Sequence, residues 1–134
     1  MAVDMDFKFL GPLYNEIGVR IMGDIGGDPD GVFLYAEAGD GWVEASIFKD
    51  MGSFVQYYSP SGELCDLIIE AWEAEAPDKR WATMSYEINA GAFDTALDYP
   101  EDINPDDSSF ERSERILKQR YGDKPIRYPP ILRD

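Results

Sequence analysis

The chain has 134 residues, a formal charge of −15, one cysteine and no histidine. That length suits one domain, which buries roughly two thirds of its unfolded surface. The missing histidine removes Ser-His-Asp and Cys-His nucleophile systems, most zinc sites and the usual near-neutral base. The negative field repels nucleic-acid phosphates and anionic lipid heads, so neither nucleic acid nor membrane is an expected partner, and cationic surfaces are attracted.

The N-terminal MAVDMDFKF carries neither a basic flank nor an apolar segment, which argues against a signal peptide and for a cytoplasmic protein. Leu10, Leu13, Tyr14, Ile17 and Ile21 then recur at three- and four-residue steps, the period of a helix with Pro12 in its first turn. GDIGGDPDG (23–31) stops that helix and turns the chain. VFLYAEA (32–38) reads as a strand, Asp40-Gly41 as a tight hairpin turn, 42–49 as the returning strand and SFVQYY (53–58) as a third.

SPSG supplies a cap, after which Leu64, Leu67, Ile68, Ala71 and Trp72 form a second helical stripe that ends before Pro77. The lone Cys65 lies among these apolar residues and reads as a buried, inert thiol. WATMSYEI (81–88) alternates as a strand, Asn89-Ala90-Gly91 turns, and 93–99 pairs back. Ser108-Ser109-Phe110-Glu111 matches a capping box opening a third helix anchored by Phe110, Leu117 and Tyr121 and stopped by Gly122. The proline-rich tail from about residue 123 is expected to run extended. The order α-β-β-β-α-β-β-α predicts an α+β domain, a mainly antiparallel five-stranded sheet with helices packed on one side. The 53–58 segment, or another edge strand, offers a route to a homodimer.

Two acidic stretches stand out. GGDPDGVFLYAE (26–37) has Asp28, Asp30, Gly31 and Glu37 at calcium-loop spacing. Gly26 holds the first ligand position, however, and a strand replaces the exiting helix, so a helix-to-strand turn is preferred. The second is DYPEDINPDD (98–107), whose carboxylates admit four readings: a metal site, an acid/base pair, a partner-facing patch or a solvated loop. Pro100 and Pro105 are expected to hold this run extended and keep the acids from converging. Trp42, Trp72, Trp81, Phe54, Tyr35, Tyr57 and Tyr58 read as core; any exposed beside the acid would point to a protein interface.

The run Trp81-Ala82-Thr83-Met84-Ser85-Tyr86-Glu87-Ile88, the turn into Gly91-Ala92-Phe93, the triplet Leu97-Asp98-Tyr99 and the helix start at Glu111-Arg112 resemble the YezG-like family of antitoxin or immunity proteins. The resemblance spans roughly residues 10–121. It departs from the family pattern at Ile116 and Leu117, where an aromatic is expected, and in a longer, more basic tail. It implies a cytoplasmic, non-catalytic antidote without a cofactor, whose partner is a basic toxin domain, commonly a nuclease. On that reading Asp98, Glu101, Asp102, Asp106 and Asp107 steer the partner, and Tyr99 and Phe110 anchor it. The rival readings are a scaffold or regulator of the same fold and a divalent-metal enzyme using the 98–107 carboxylates.

Overall fold

The computed structural model describes residues 2–128, and side chains from residue 11 onward. Its elements are α1 (Ala2–Ile25), β1 (Val32–Gly39), β2 (Trp42–Asp50), β3 (Val55–Tyr58), α2 (Gly62–Glu73), β4 (Thr83–Asn89), β5 (Ala92–Asp98), α3 (Ser109–Tyr121) and β6 (Ile126–Arg127), with short 3-10 turns at Pro77–Lys79 and Pro100–Asp102. The fold is α+β, and its elements follow the expected order. The sheet has six strands in the order β5-β4-β1-β2-β3-β6, antiparallel except for β3 beside β6.

The sixth strand corrects the five-strand expectation. The tail packs along the body: the Val55 N–H donates to the Pro125 carbonyl, and Val55 and Gln56 lie opposite Ile126 and Arg127. A run too proline-rich for helix still satisfies its backbone groups as a short edge strand. The tail therefore covers the Val55–Gln56 part of the 53–58 segment. The remaining tail, 129–134, lies outside the described residues.

Helix α1 starts at Ala2, upstream of its apolar stripe, so Pro12 sits inside the helix and not in its first turn. Residues 2–10 contain neither Gly nor Pro, so nothing local delays the start. Among the described residues no helix is long and apolar enough to cross a membrane.

Strand β1 occupies the centre and is buried from Val32 to Ala38. Its alternation serves two cores. Val32, Leu34 and Ala36 join Ile17 and Ile21 of α1, Leu64, Ile68 and Trp72 of α2, and Met84, Tyr86 and Ile88 of β4. Phe33 and Tyr35 point the other way, with Phe48 and Val55, and there meet Ile116, Leu117 and Tyr121 of α3. The one-sided arrangement therefore describes α1 and α2, while α3 lies over the second face, where Phe33, Tyr35 and Phe48 present apolar surface to be covered.

Two polar tips in the larger core are satisfied by backbone, whereas the Trp81 indole N–H finds no partner among the described residues. Trp72 Nε1 donates to the Trp81 carbonyl at 2.8 Å and the Tyr86 hydroxyl to the Tyr14 carbonyl at 2.7 Å. The Tyr86 hydroxyl reaches helix α1 because Gly18 leaves room: a Cβ there would lie 2.7 Å from the oxygen. The β4–β5 hairpin turns on Ala90 and Gly91, both at positive φ, and the Asp30 carboxylate accepts the Ala90 N–H.

Candidate functional site: the acidic turn at the start of α3

The residues between β5 and α3 are folded back on themselves, not extended as the prolines suggest. Pro100 and Pro105 each begin a turn, since a φ near −65° suits the first position of a 3-10 or type I turn as well as an extended chain. The Asp102 N–H donates to the Tyr99 carbonyl at 2.8 Å, and the Asp102 carboxylate accepts the Tyr99 N–H at 3.1 Å. Asn104 repeats the device: its Oδ1 accepts the Asp106 N–H at 3.0 Å, and its carbonyl accepts the Asp107 N–H, also at 3.0 Å.

Each acid therefore has a distinct position. Asp98 ends β5, with its Oδ2 accepting the hydroxyl of buried Thr83 at 3.2 Å. Asp102 is occupied with its own turn. Asp107 is the most engaged, its carboxylate paired with Arg115 at 2.8 Å and its carbonyl accepting Arg112 Nη1 at 2.7 Å. Glu101 and Asp106 stand in solvent, outside every salt bridge among the described residues. Of the two aromatic candidates, Tyr99 packs half-buried against the larger core, whereas Phe110 is 68% exposed and joins neither core among the described residues.

The helix that follows begins as its sequence requires. Ser108 Oγ accepts the Glu111 N–H and the Glu111 carboxylate accepts the Ser108 N–H, both at 3.1 Å. Asp107 stands one residue before the cap, where negative charge interacts favourably with the helix dipole by about 0.3–1 kcal/mol. The helix ends at Gly122, whose φ is 62°.

Beneath the turn lies a polar contact that sequence reasoning missed. Arg112 Nε and Nη2 donate to Glu37 Oε2 and Oε1 at 2.9 and 2.8 Å, a two-pronged pair between α3 and the centre of β1. The Tyr35 hydroxyl adds a third hydrogen bond to Glu37 at 2.6 Å. Burial alone would push the Glu37 carboxyl up, but the bonds from Arg112 and Tyr35 outweigh it and hold the group below its usual range. Accepting those bonds, Glu37 in turn raises the Arg112 guanidinium, and burial raises the Tyr35 phenol. The available signal was Glu37 itself, the one charged residue in the seven-residue strand segment VFLYAEA.

The same pair accounts for the calcium-like spacing of 26–37. Glu37, its twelfth position, is committed to Arg112, Asp28 accepts the Asp30 N–H, and Asp30 accepts the Ala90 N–H. Among the described residues, no three of His, Cys, Asp and Glu gather into a group able to hold a metal ion. Cys65 is half-buried, and burial, then Asp66 and Asp24, push its thiol up, away from the reactive thiolate.

No family model and no curated protein matches the chain.

A groove of about 290 Å³ runs between the turn and α3, over Thr83, Asp98, Asp102, Asp107 and Arg112. Across it Thr83 donates to Asp98, and Asp107 accepts from both Arg112 and Arg115. The outward-facing groups are Glu101, Asp106 and the Phe110 ring, beside the exposed carboxylates of Asp98 and Asp102, which accept hydrogen bonds from Thr83 and Tyr99. Of the remaining aromatics, Trp72, Trp81 and Tyr35 are core residues, whereas Trp42 is 46% exposed on the hairpin tip and lies flat on Gly39.

Proposed function

We propose that this protein is a cytoplasmic, non-catalytic inhibitor of the immunity or antitoxin kind, which neutralises a basic toxin domain such as a nuclease by direct binding. The observation that carries the reading is how the charge is shared out. Arg112, Arg115, Arg120 and Lys124 are each paired with an acid of their own chain, namely Glu37, Asp107, Glu87 and Asp50. Glu101 and Asp106 keep their charge in solvent on a turn fixed by its own hydrogen bonds. A cationic cleft built for phosphate is the natural complement of such a projection, and Phe110 supplies apolar area beside it. The YezG-like resemblance at Trp81–Ile88, Phe93 and Leu97–Tyr99 supports the same reading.

Co-purification with candidate basic toxin domains, followed by an assay of their activity, tests it. The double variant Glu101→Gln/Asp106→Asn removes charge without touching an internal pair. It is expected to lower the association rate several-fold at low salt and to flatten its salt dependence, because steering by charge changes on-rates by about 10–10³ overall. Association kinetics that match the wild type at every salt concentration would remove the turn from the interface.

A further inference from the structure

Besides its outer strands β5 and β6, the sheet has an open edge part-way along β2. Strand β3 pairs with β2 only from Ile47 to Asp50, its last partner being Tyr58 opposite Ile47. The chain then leaves the sheet, because Pro60 has no N–H to continue the ladder and Ser61 turns to cap α2, its own N–H held by Asp24 at 2.8 Å. From Trp42 to Ser46 nothing pairs with β2 on that side among the described residues.

Two hydrogen bonds fix which groups face outward. The Ala38 N–H donates to Ala82, towards β4, and the Met51 N–H to Phe54, towards β3. With alternation along antiparallel ladders, Trp42, Glu44 and Ser46 bond back to β1, while the N–H and C=O of Val43 and Ala45 point away from the sheet. Over this edge lies a slot of about 410 Å³, walled by Cys65 of α2 and by Ser109 and Ser113 of α3. Its charged lining is Glu44 and Glu37, the latter already paired with Arg112 from outside the lining, so Glu44 carries the unpaired charge. Exposed Trp42 lies on the same strand, and Phe110 follows Ser109 on the α3 wall.

We propose that this edge takes up an extended cationic segment of the partner protein as an additional strand, with Val43 and Ala45 supplying the backbone bonds and Glu44 the charge. The proposal rests on the inhibitor reading for the basic character of the partner. A second copy of this chain is the poorer occupant, since it would bring another −15 charge to a slot lined by carboxylates. A five-residue edge spanning roughly 13 Å suits a short strand, at about 3.3 Å per step.

The test is amide hydrogen exchange by NMR on the full chain with a synthetic Lys-Val-Lys-Val-Lys-Val-Lys peptide, and with its glutamate counterpart as control. At saturation the cationic peptide is expected to slow exchange at Val43 and Ala45 at least tenfold, and the glutamate peptide to leave both unchanged. Ala45→Pro removes an outward N–H and spares the β1 ladder. If its melting temperature matches the wild type, it is expected to bind the cationic peptide at least tenfold more weakly; the wild-type exchange result stands without it. Unchanged exchange at the two amides, equal protection by the acidic peptide, or protection in the free protein together with a doubled mass would each overturn the proposal, the last assigning the edge to a second copy. A toxin domain inhibited equally by wild type and by folded Ala45→Pro would also overturn it and leave the inhibitor reading intact. Failure of the wild type to inhibit any basic domain would instead strike that reading, whatever the peptide does at the edge.

Discussion

Replacing Arg112 by Ala should be the most damaging single change at the start of α3, and its cost can be worked from the contacts it removes. The guanidinium makes both prongs of the Glu37 pair and a third bond to the Asp107 carbonyl. Its removal leaves Glu37, 4% exposed, with the Tyr35 hydroxyl alone. Breaking one side of a buried pair costs about 3–5 kcal/mol; since Arg112 itself keeps 18% of its side-chain surface, the low end, about 3 kcal/mol, applies. With an unfolding entropy of about 2.1 cal/mol/K per residue, that loss lowers Tm by about 10 °C for a chain of this size. The sign of the pH dependence follows from the carboxyl. In the wild type the folded pKa of Glu37 lies below its unfolded value, so the pair's stabilisation is complete above the unfolded value and fades as pH falls through the folded one. In Arg112→Ala burial prevails, the folded pKa rises above the unfolded value, and stability is lost as pH rises past the ordinary carboxylate range. The gap between the two proteins should therefore widen from pH 3 to pH 7 in urea titrations. The double variant Glu37→Leu/Arg112→Met, which removes both charges, should recover most of the loss at pH 7. A loss under about 1 kcal/mol, or one that is the same at pH 3 and pH 7, would refute this account of the pair.

Gly18→Ala should destabilise the fold although alanine favours a helix by about 1 kcal/mol, because its Cβ would stand 2.7 Å from the Tyr86 hydroxyl, and relieving the overlap costs roughly 1–3 kcal/mol. In a Tyr86→Phe background the same change should become neutral or stabilising, and equilibrium denaturation of the four proteins checks the sign. Ser108→Ala should cost about 1 kcal/mol by removing the Glu111 N–H acceptor, with Glu111→Ala adding less than its separate effect because both belong to one capping box. Additive losses in thermal melts would show that the two bonds act independently.

The elements visible in the sequence were those whose signals are local. The stripes Ile17–Ile21 and Leu64–Trp72, the Ser108–Glu111 box, the Gly122 stop and the Asn89–Gly91 turn each state their conformation within a few residues, and the structure places them accordingly. What local signals could not supply was pairing at long separation. The Ile126–Arg127 strand exists only because Val55–Gln56 offers it an edge about seventy residues away, and Glu37 finds Arg112 seventy-five residues later. Proline misled twice for one reason: its fixed φ suits turn, helix and extended chain alike, so Pro12 and Pro100 were set by the residues around them. Within the candidate site, the sequence identified the acids but not their engagement. Asp102 and Asp107 became supports of the turn, Asp98 a partner of Thr83 and Tyr99 a packing residue, while Glu101, Asp106 and Phe110 face out with no such role.

That division bears on why so acidic a chain keeps a basic last helix. If Arg112, Arg115, Arg120 and Lys124 were free, α3 would present a cationic face beside the acidic turn and cancel its field towards an approaching partner. Arg112, Arg120 and Lys124 are instead drawn to carboxylates of the sheet strands and Arg115 to Asp107 of the turn, and Arg120 also lies 4.1 Å above the centre of the Phe33 ring. The positive charge holds the helix in place, and the surplus negative charge is left outside. Steering needs such separation, because the field that a partner meets beyond a Debye length of about 8–10 Å is set by exposed charge that has no nearby counter-ion. Freeing one of these cations should therefore slow association even where no loop acid is altered. Glu87→Gln, which releases Arg120 at some distance from the acidic turn, separates this effect from damage to the turn itself.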